Sequence, residues 1–161
     1  MHDHIDRYFA AEKSESLLFL IVGVVALCLA GVLFRHQGAP RGAAYPLAAV
    51  ALIQIVVGGT VYFRTDGQVG ALRQQLDADP GAFRAVEEAR MRVVTRNFRM
   101  YKALEIVLIA VGIALASRRG GDVAYGVGLG LFGQASLMLA LDLVAERRAA
   151  LYLDGVRGLA R

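Results

Sequence analysis

Tryptophan is absent from this sequence, proline occurs three times and cysteine only once. A single cysteine, Cys28, excludes an intramolecular disulfide, a CxxC redox pair and a cysteine-based zinc cluster. No histidine lies within the long apolar runs, which argues against axial haem ligands on membrane helices. His2 and His4 flank Asp3 but lack a third fixed ligand, so no metal site is predicted. No Walker, GxSxG or HExxH motif occurs, so we expect no cofactor and no catalytic residue.

Charged residues are missing from four stretches, residues 16–34, 42–63, 106–117 and 123–141. A mean hydropathy of +0.49 is too high for a typical soluble domain of 161 residues. About 20 apolar residues let a helix cross a hydrocarbon core of about 30 Å. The third stretch reaches that length if its helix starts near Phe98. The sequence therefore predicts an all-α integral membrane four-helix bundle, up-down-up-down, as one domain over residues 1–161 with spans at about 16–35, 43–63, 100–117 and 123–145.

The basic residues are distributed unevenly around these spans. Fourteen of the 18 Lys and Arg residues fall in the amino end, the loop between spans two and three, and the carboxyl end. The positive-inside rule places both termini and that loop in the cytoplasm of a multi-pass protein, and the high Ala, Gly and Arg content suggests a bacterial inner membrane. Most of the excess Lys and Arg residues lie next to the predicted spans. The pI of about 9.6 therefore indicates contact with the lipid bilayer and not with nucleic acid.

The two halves of the chain share a pattern. Both begin R-x-F-x3-K-x9-G, from Arg7 and from Arg96, and both continue A-Y-x8-Q, from Ala44 and from Ala124. Two spans per unit return the chain to its starting side, so the pattern predicts two tandem, parallel helical hairpins related by an axis along the membrane normal. The alternative is a chance match within sequence of biased composition.

Each half carries one glutamine near the middle of its second apolar run, Gln54 and Gln134. A buried amide in hydrocarbon costs several kcal/mol unless it is hydrogen-bonded, so we expect the two amides to face each other across the axis. An interhelical hydrogen bond adds only about 0.6 to 2 kcal/mol, which favours a role in fixing register. We expect Ser136 either to join the pair or to bond back to its own helix.

The fourth span contains glycines at i, i+4 and i+7, namely Gly126, Gly130 and Gly133. A stripe of this kind lets another helix backbone approach closely. Packing within the four-helix chain is the favoured explanation, and a dimerisation face or ligand groove is the alternative.

A second polar layer is predicted about 12 Å below the glutamines, eight residues further along the helices. Asp142 is the most deeply placed acid, and an intramembrane carboxylate is a candidate functional group. Its expected counter-ions are Lys102, Lys13 and Arg64. The favoured explanation is an interfacial salt-bridge cluster, and a functional site is the alternative. The layer comprises Glu105, Lys102, Tyr62, Arg64, Asp142, Glu146 and Lys13.

A cytoplasmic helical hairpin is predicted at about residues 66–100. Asp79 and Pro80 supply an N-cap carboxylate and a proline at the first helical position, so one helix is expected from there through span three. One side of this helix is mostly apolar and must cover another helix or a partner, whereas Glu87 and Glu88 are expected on a solvated face. The predicted partner face comprises Phe83, Val86, Arg90, Val93, Asn97 and Tyr101.

Three functions stay open on these residues. The first is a non-enzymatic structural or accessory membrane protein that presents its basic cytoplasmic hairpin to a protein partner or to its own copy. The second is a small transporter, or an ion or proton pathway, that uses Gln54, Gln134, Asp142 and Glu105. The third, weaker, is a lipid-facing enzyme with Asp142 as its acid.

Overall fold

The chain forms four long helices. The structure, a computed structural model, describes residues 1–118 and 120–158. The helices are α1 (His2–Leu33), α2 (Ala39–Ala78), α3 (Pro80–Ser117) and α4 (Asp122–Arg157). The all-α prediction is confirmed, and each helix is long and apolar enough to be a candidate membrane span.

The helices extend well past the predicted spans at one end. α1 includes the whole leader before the first apolar run, and α2 continues without a break into the segment predicted as the first arm of the hairpin. Neither extension contains a proline, and a change from apolar to charged residues does not by itself end a helix. α3 begins where the sequence predicts, because the Asp79 carboxylate accepts hydrogen bonds from the amides of Gly81 at 2.9 Å and Ala82 at 3.0 Å.

Two helical hairpins make up the molecule. α1 packs along α2, α3 packs along α4, and the contact between α2 and α4 joins the pairs. α1 and α2 run antiparallel, since Gly23 lies beside Gln54 whereas Lys13 pairs with Asp66. The amino terminus, the α2–α3 turn and the end of α4 gather at one end. We call this the terminal end, and we call the end with the two hairpin turns the opposite end.

α2 and α4 touch through their backbones near the opposite end. A Cβ atom added at Gly42 would collide with the carbonyl group of Val123, and one added at Gly126 would collide with that of Ala39. Gly130 continues the contact one turn further along α4. Only glycine permits an approach this close, because it alone has no side-chain atom to keep the helix axes apart.

The glycine stripe of α4 differs from the prediction at its third member. Gly126 and Gly130 face α2, but Gly133 is exposed and a Cβ there would meet open space. The contact follows the i, i+4 row from Gly126 through Gly130 to Gln134, which drifts around the helix by about 40° per step and leaves Gly133 outside. Gly128 packs instead on α3, where a Cβ would lie 2.6 Å from the carbonyl oxygen of Gly112.

Burial differs between the apolar spans and the terminal end. In the spans, small residues are buried between the helices, while large side chains such as Val25, Val56 and Leu104 are more than half exposed. At the terminal end, all four helices contribute large side chains to one core, which the sequence analysis did not predict. This terminal core comprises Ile5, Tyr8, Phe9, Leu72, Leu76, Phe83, Met91, Ala149, Tyr152, Leu153 and Val156.

Gly126→Ala should lower the thermal stability of the protein in mild detergent, because the added methyl group has no space beside the Ala39 carbonyl. Overpacking of this kind costs about 1 to 3 kcal/mol. Gly133→Ala is the matched control, and it should be neutral or stabilising by up to about 1 kcal/mol, since alanine is the better helix former. Circular dichroism melting curves measure both, and equal melting temperatures for the two variants would contradict the α2–α4 contact.

Candidate functional site

Gln54 and Gln134 meet where α2 and α4 pack together. The Nε2 of Gln134 donates a hydrogen bond of 2.6 Å to the Oε1 of Gln54. The two residues are 0% and 6% exposed, respectively, and α1 closes the site because Gly23 brings its backbone against Gln54. The Nε2 of Gln54 has no hydrogen-bond partner among the described residues, and Ser136 is half-buried and bonded to neither amide. One bond with one donor unsatisfied suits a register-fixing contact better than a strongly stabilising one.

The predicted second polar layer separates into two groups. In the first, between α1 and α2, Lys13 pairs with Asp66 at 2.6 Å, and its Nζ lies 5.0 Å from the centre of the Tyr62 ring. Arg64 is exposed, and it forms no ion pair within the part of the chain that the structure describes. Lys13 and Arg64 are therefore not counter-ions of Asp142 in this structure.

The second group lies between α3 and α4, where two acids are neighbours. Glu105 and Asp142 lie near enough for their charges to interact, although no hydrogen bond joins them. Glu105 is 3% exposed, and neither of its oxygens has a hydrogen-bond partner among the described residues. Lys102 pairs with Glu146 at 2.5 Å and not with Asp142, because both members of that pair lie about one turn nearer the terminal end. The structure thus gives Asp142 a second carboxyl group as its neighbour, where the sequence predicted a cation.

A buried polar cluster at the terminal end was missed by the sequence analysis. Glu87, expected on a solvated face, is 0% exposed. Its carboxylate accepts a hydrogen bond of 2.8 Å from the hydroxyl of Tyr152 and pairs with Arg90 at 2.6 Å. The end of α4 covers this side of α3. The spacing of Ala149, Tyr152, Leu153 and Val156, at i, i+3, i+4 and i+7, is the signal that could have revealed the covering helix.

Two stacked tyrosines lie beside Glu87. The rings of Tyr8 and Tyr152 are 4.2 Å apart, and the guanidinium group of Arg148 lies 5.0 Å from the centre of the Tyr8 ring. Burial raises the pKa of Tyr8 to about 12, and burial together with the Glu87 charge and hydrogen bond raises the pKa of Tyr152. Both phenols therefore stay protonated at neutral pH, and Tyr152 remains a hydrogen-bond donor to Glu87.

The predicted partner face of α3 is only partly exposed. Phe83 is fully buried in the terminal core and Arg90 is held by Glu87, whereas Val86, Val93 and Tyr101 are exposed. Asn97 is half-buried. The six positions stay within about 80° of one another around the helix; Phe83 is buried because the terminal core covers the start of α3, whereas nothing among the described residues covers Val86, Val93 or Tyr101 to the same extent. The exposed apolar residues on this side of α3 are Val86, Val93, Met100, Tyr101 and Leu104.

The chemistry available to these clusters is that of amides, carboxyl groups and guanidinium groups. Within residues 1–118 and 120–158, no three His, Cys, Asp or Glu side chains are gathered as metal ligands. Cys28 is exposed on α1. The paired glutamines can hold two helices in register, and two neighbouring acids such as Glu105 and Asp142 titrate as a coupled pair.

Gln54→Leu and Gln134→Leu should each lower the free energy of unfolding, because each leaves the other amide in an apolar seam without a partner. An unsatisfied buried amide costs about 1 to 3 kcal/mol, and the double variant should recover a coupling energy of about 0.6 to 2 kcal/mol. Ser136→Ala serves as the control, with a change below about 0.5 kcal/mol. Reversible unfolding in mixed micelles measures the cycle, and strictly additive single effects would show that the amides do not interact.

Glu87→Gln should destabilise the terminal core, because it leaves the Arg90 guanidinium partly buried without its carboxylate. Breaking a buried ion pair on one side costs about 3 to 5 kcal/mol. Glu88→Gln is the neighbouring control, since Glu88 pairs with Arg84 near the surface and its loss should change stability little. Chemical unfolding followed by tyrosine fluorescence compares them. Equal effects of the two substitutions would rule out a special role for Glu87.

The structure contains three buried polar sites. The Gln54–Gln134 pair lies between α2 and α4, the Glu105–Asp142 pair lies between α3 and α4, and the Glu87 cluster lies in the terminal core. No protein-family model, no curated protein and no solved structure matches this chain, so its residues and their contacts alone support a proposal.

Proposed function

We propose that this chain is a small multi-pass membrane protein with a structural or accessory role, folded as an up-down-up-down bundle. Large apolar side chains that project away from the bundle support membrane insertion. Val25, Val56, Leu104 and Val144 are each more than half exposed, one on each helix. Contiguous apolar surface of this extent is unfavourable in water, whereas lipid tails are as apolar as the side chains themselves.

The distribution of charge supports a cytoplasmic terminal end. Among the described residues, the opposite end carries Arg35, Arg41 and Arg118, and the other Lys and Arg residues belong to the terminal end or its boundary with the spans. The positive-inside rule applies to loops this short. We therefore place the protein in a bacterial inner membrane with both termini in the cytoplasm.

The close contact between α2 and α4 is the observation that supports the structural role. A conduction or transport route along the centre of the bundle needs space for water or substrate between these helices. At Gly42 and Gly126 the two backbones are in direct contact, and the Gln54–Gln134 bond closes the seam further along. The centre of the bundle is therefore a joint between two hairpins.

The proposed accessory role uses the exposed apolar side of α3. Val86 and Val93 lie at the terminal end, outside the span, and are 53% and 47% exposed. An apolar pair in contact with water at that position favours association with a protein partner or with a second copy of the chain. The basic side chains around it would supply the polar rim of such an interface.

A duplication is part of the same proposal. The repeated glutamine of each half forms one side of the same hydrogen bond, as an axis between α2 and α4 requires. This shared hydrogen bond supports two related hairpins.

A proton pathway is the second candidate, and the Glu105–Asp142 pair is what favours it. A buried carboxyl group whose two oxygens lack partners, beside another acid, is unusual unless a proton or a cation is exchanged there. This site lies between α3 and α4 and not in the closed central seam.

Val86→Ser combined with Val93→Ser should abolish a defined stoichiometric complex, either with a partner or between copies, that copurifies from native membranes in mild detergent. Leu151→Ser is the matched control, because Leu151 is an exposed apolar residue at the same end of the molecule. Chemical crosslinking and size-exclusion chromatography with light scattering report the complex. A monomer without a partner would contradict the accessory role. Proton flux into proteoliposomes that disappears in Asp142→Asn would favour the second candidate.

A further inference from the structure

A groove lined by arginines runs along the outer side of α3 near the terminal end. Its volume is about 390 Å³. Arg92, Arg96 and Arg99 follow one another at i, i+4 and i+7 on α3, and Arg157 reaches the groove from the end of α4. Val93, Thr95 and Leu153 complete the lining. We call these seven residues the arginine groove.

The positive charge of the groove is largely uncompensated. Among the described residues, no carboxylate lies within ion-pair distance of Arg92, Arg96 or Arg99, and Arg157 has only Asp154 at 3.9 Å. Glu88 also lies near enough for its charge to interact with Arg92 and Arg157, but its carboxylate is already hydrogen-bonded to Arg84 at 2.8 Å.

Most other cations at this end are neutralised, which sets the groove apart. These cations form ion pairs of 2.5 to 2.6 Å with the carboxylates of Asp66, Asp6, Glu87, Glu146 and Glu15. The paired cations are Lys13, Arg73, Arg90, Lys102 and Arg148. Four guanidinium groups left together without such partners form a site suited to an anion with several acceptor oxygens, such as a phosphate.

The groove lies at the depth of lipid headgroups. Arg99 immediately precedes the third span, and Arg92 lies seven residues beyond it, about 10 Å further from the hydrocarbon. The headgroup region on each side of a bilayer is about 5 to 8 Å thick. Arg96 and Arg99 therefore fall within that region if the bundle is inserted as proposed.

An exposed apolar track continues from the groove into the span. Ala103, Ile106 and Ala110 follow Arg99 at steps of four, three and four residues, so they lie on the same side of α3, and all three are exposed. A molecule with a phosphate in the groove could lay a hydrocarbon chain along this track. The order of charged groove and apolar track matches the order of headgroup and acyl chain in a phospholipid.

We propose that the arginine groove is a binding site for an anionic glycerophospholipid. The phosphate and the other headgroup oxygens bind Arg96 and Arg99, at the membrane side of the groove, and one acyl chain lies on the track of Ala103, Ile106 and Ala110. The inference rests on the proposed membrane insertion, because only insertion brings the groove to headgroup depth. The apolar track favours this ligand over a soluble phosphate compound, a nucleic acid or an acidic peptide.

Arg96→Gln combined with Arg99→Gln should weaken the binding of phosphatidylglycerol to the full chain in detergent by about 30-fold, since each arginine at a membrane surface contributes about fivefold. Arg35→Gln combined with Arg41→Gln is the matched control, because it removes the same charge from exposed positions at the opposite end. This control should change the affinity by less than about threefold. Native mass spectrometry with titrated phosphatidylglycerol, and phosphatidylcholine as reference lipid, gives the affinities.

The outcomes separate the groove from insertion itself. A protein that enters nanodiscs but binds phosphatidylglycerol and phosphatidylcholine equally, or loses equal affinity in both double variants, overturns the lipid site and leaves the membrane assignment intact. Displacement of the lipid by millimolar inorganic phosphate, by RNA or by an acidic peptide also overturns it. Failure of the wild-type chain to enter nanodiscs at all contradicts the proposed function. Selective loss in Arg96→Gln/Arg99→Gln, with an unchanged melting temperature, supports the site.

Discussion

The backbone contact between α2 and α4 determines the geometry of the rest of the apolar region. No side chain separates the two helices at Gly42 or Gly126, so their axes lie close together. The i, i+4 row of α4 then carries the contact along to Gln134, which reaches Gln54 at 2.6 Å. Any residue larger than glycine at the start of that row would push the axes apart and lengthen this bond. The amide pair is therefore a consequence of the close packing that the glycines permit.

Different forces hold the two regions of the molecule together. Between the apolar parts of the helices, small residues allow backbone contact, and dispersion forces together with one amide hydrogen bond supply the attraction. At the terminal end, Phe9, Phe83 and Met91 are completely buried in a core built by all four helices, which is what the hydrophobic effect produces in water. Glu87 is the exception within that core, and Tyr152 and Arg90 supply its hydrogen bonds.

The fold was largely predictable because its strongest signals are local. Charge-free runs located the apolar parts of the helices, the Asp79–Pro80 pair located the start of α3, and helical pitch placed the two glutamines at one depth. Features that depend on which helix covers which were not predictable in the same way. Glu87 has the sequence surroundings of an exposed residue and is buried only because α4 crosses it, while the position of Gly133 depends on the direction in which the α2–α4 contact drifts. The placement of Glu105 beside Asp142 likewise required the register of α3 against α4.

Each helix runs without a break from its apolar stretch into the terminal core, so the two regions of the molecule are rigidly connected. Pro40 and Pro46 lie in the first turns of α2, at the opposite end of the molecule, and Pro80 starts α3. No proline therefore interrupts a helix where it passes from its apolar stretch into the terminal core. A helix of 36 residues is about 54 Å long. If the bundle is inserted in a membrane as proposed, a thinner or thicker bilayer would change the tilt of these long helices. The stacked rings of Tyr8 and Tyr152, which lie near the terminal ends of α1 and α4, would move with the helices that carry them.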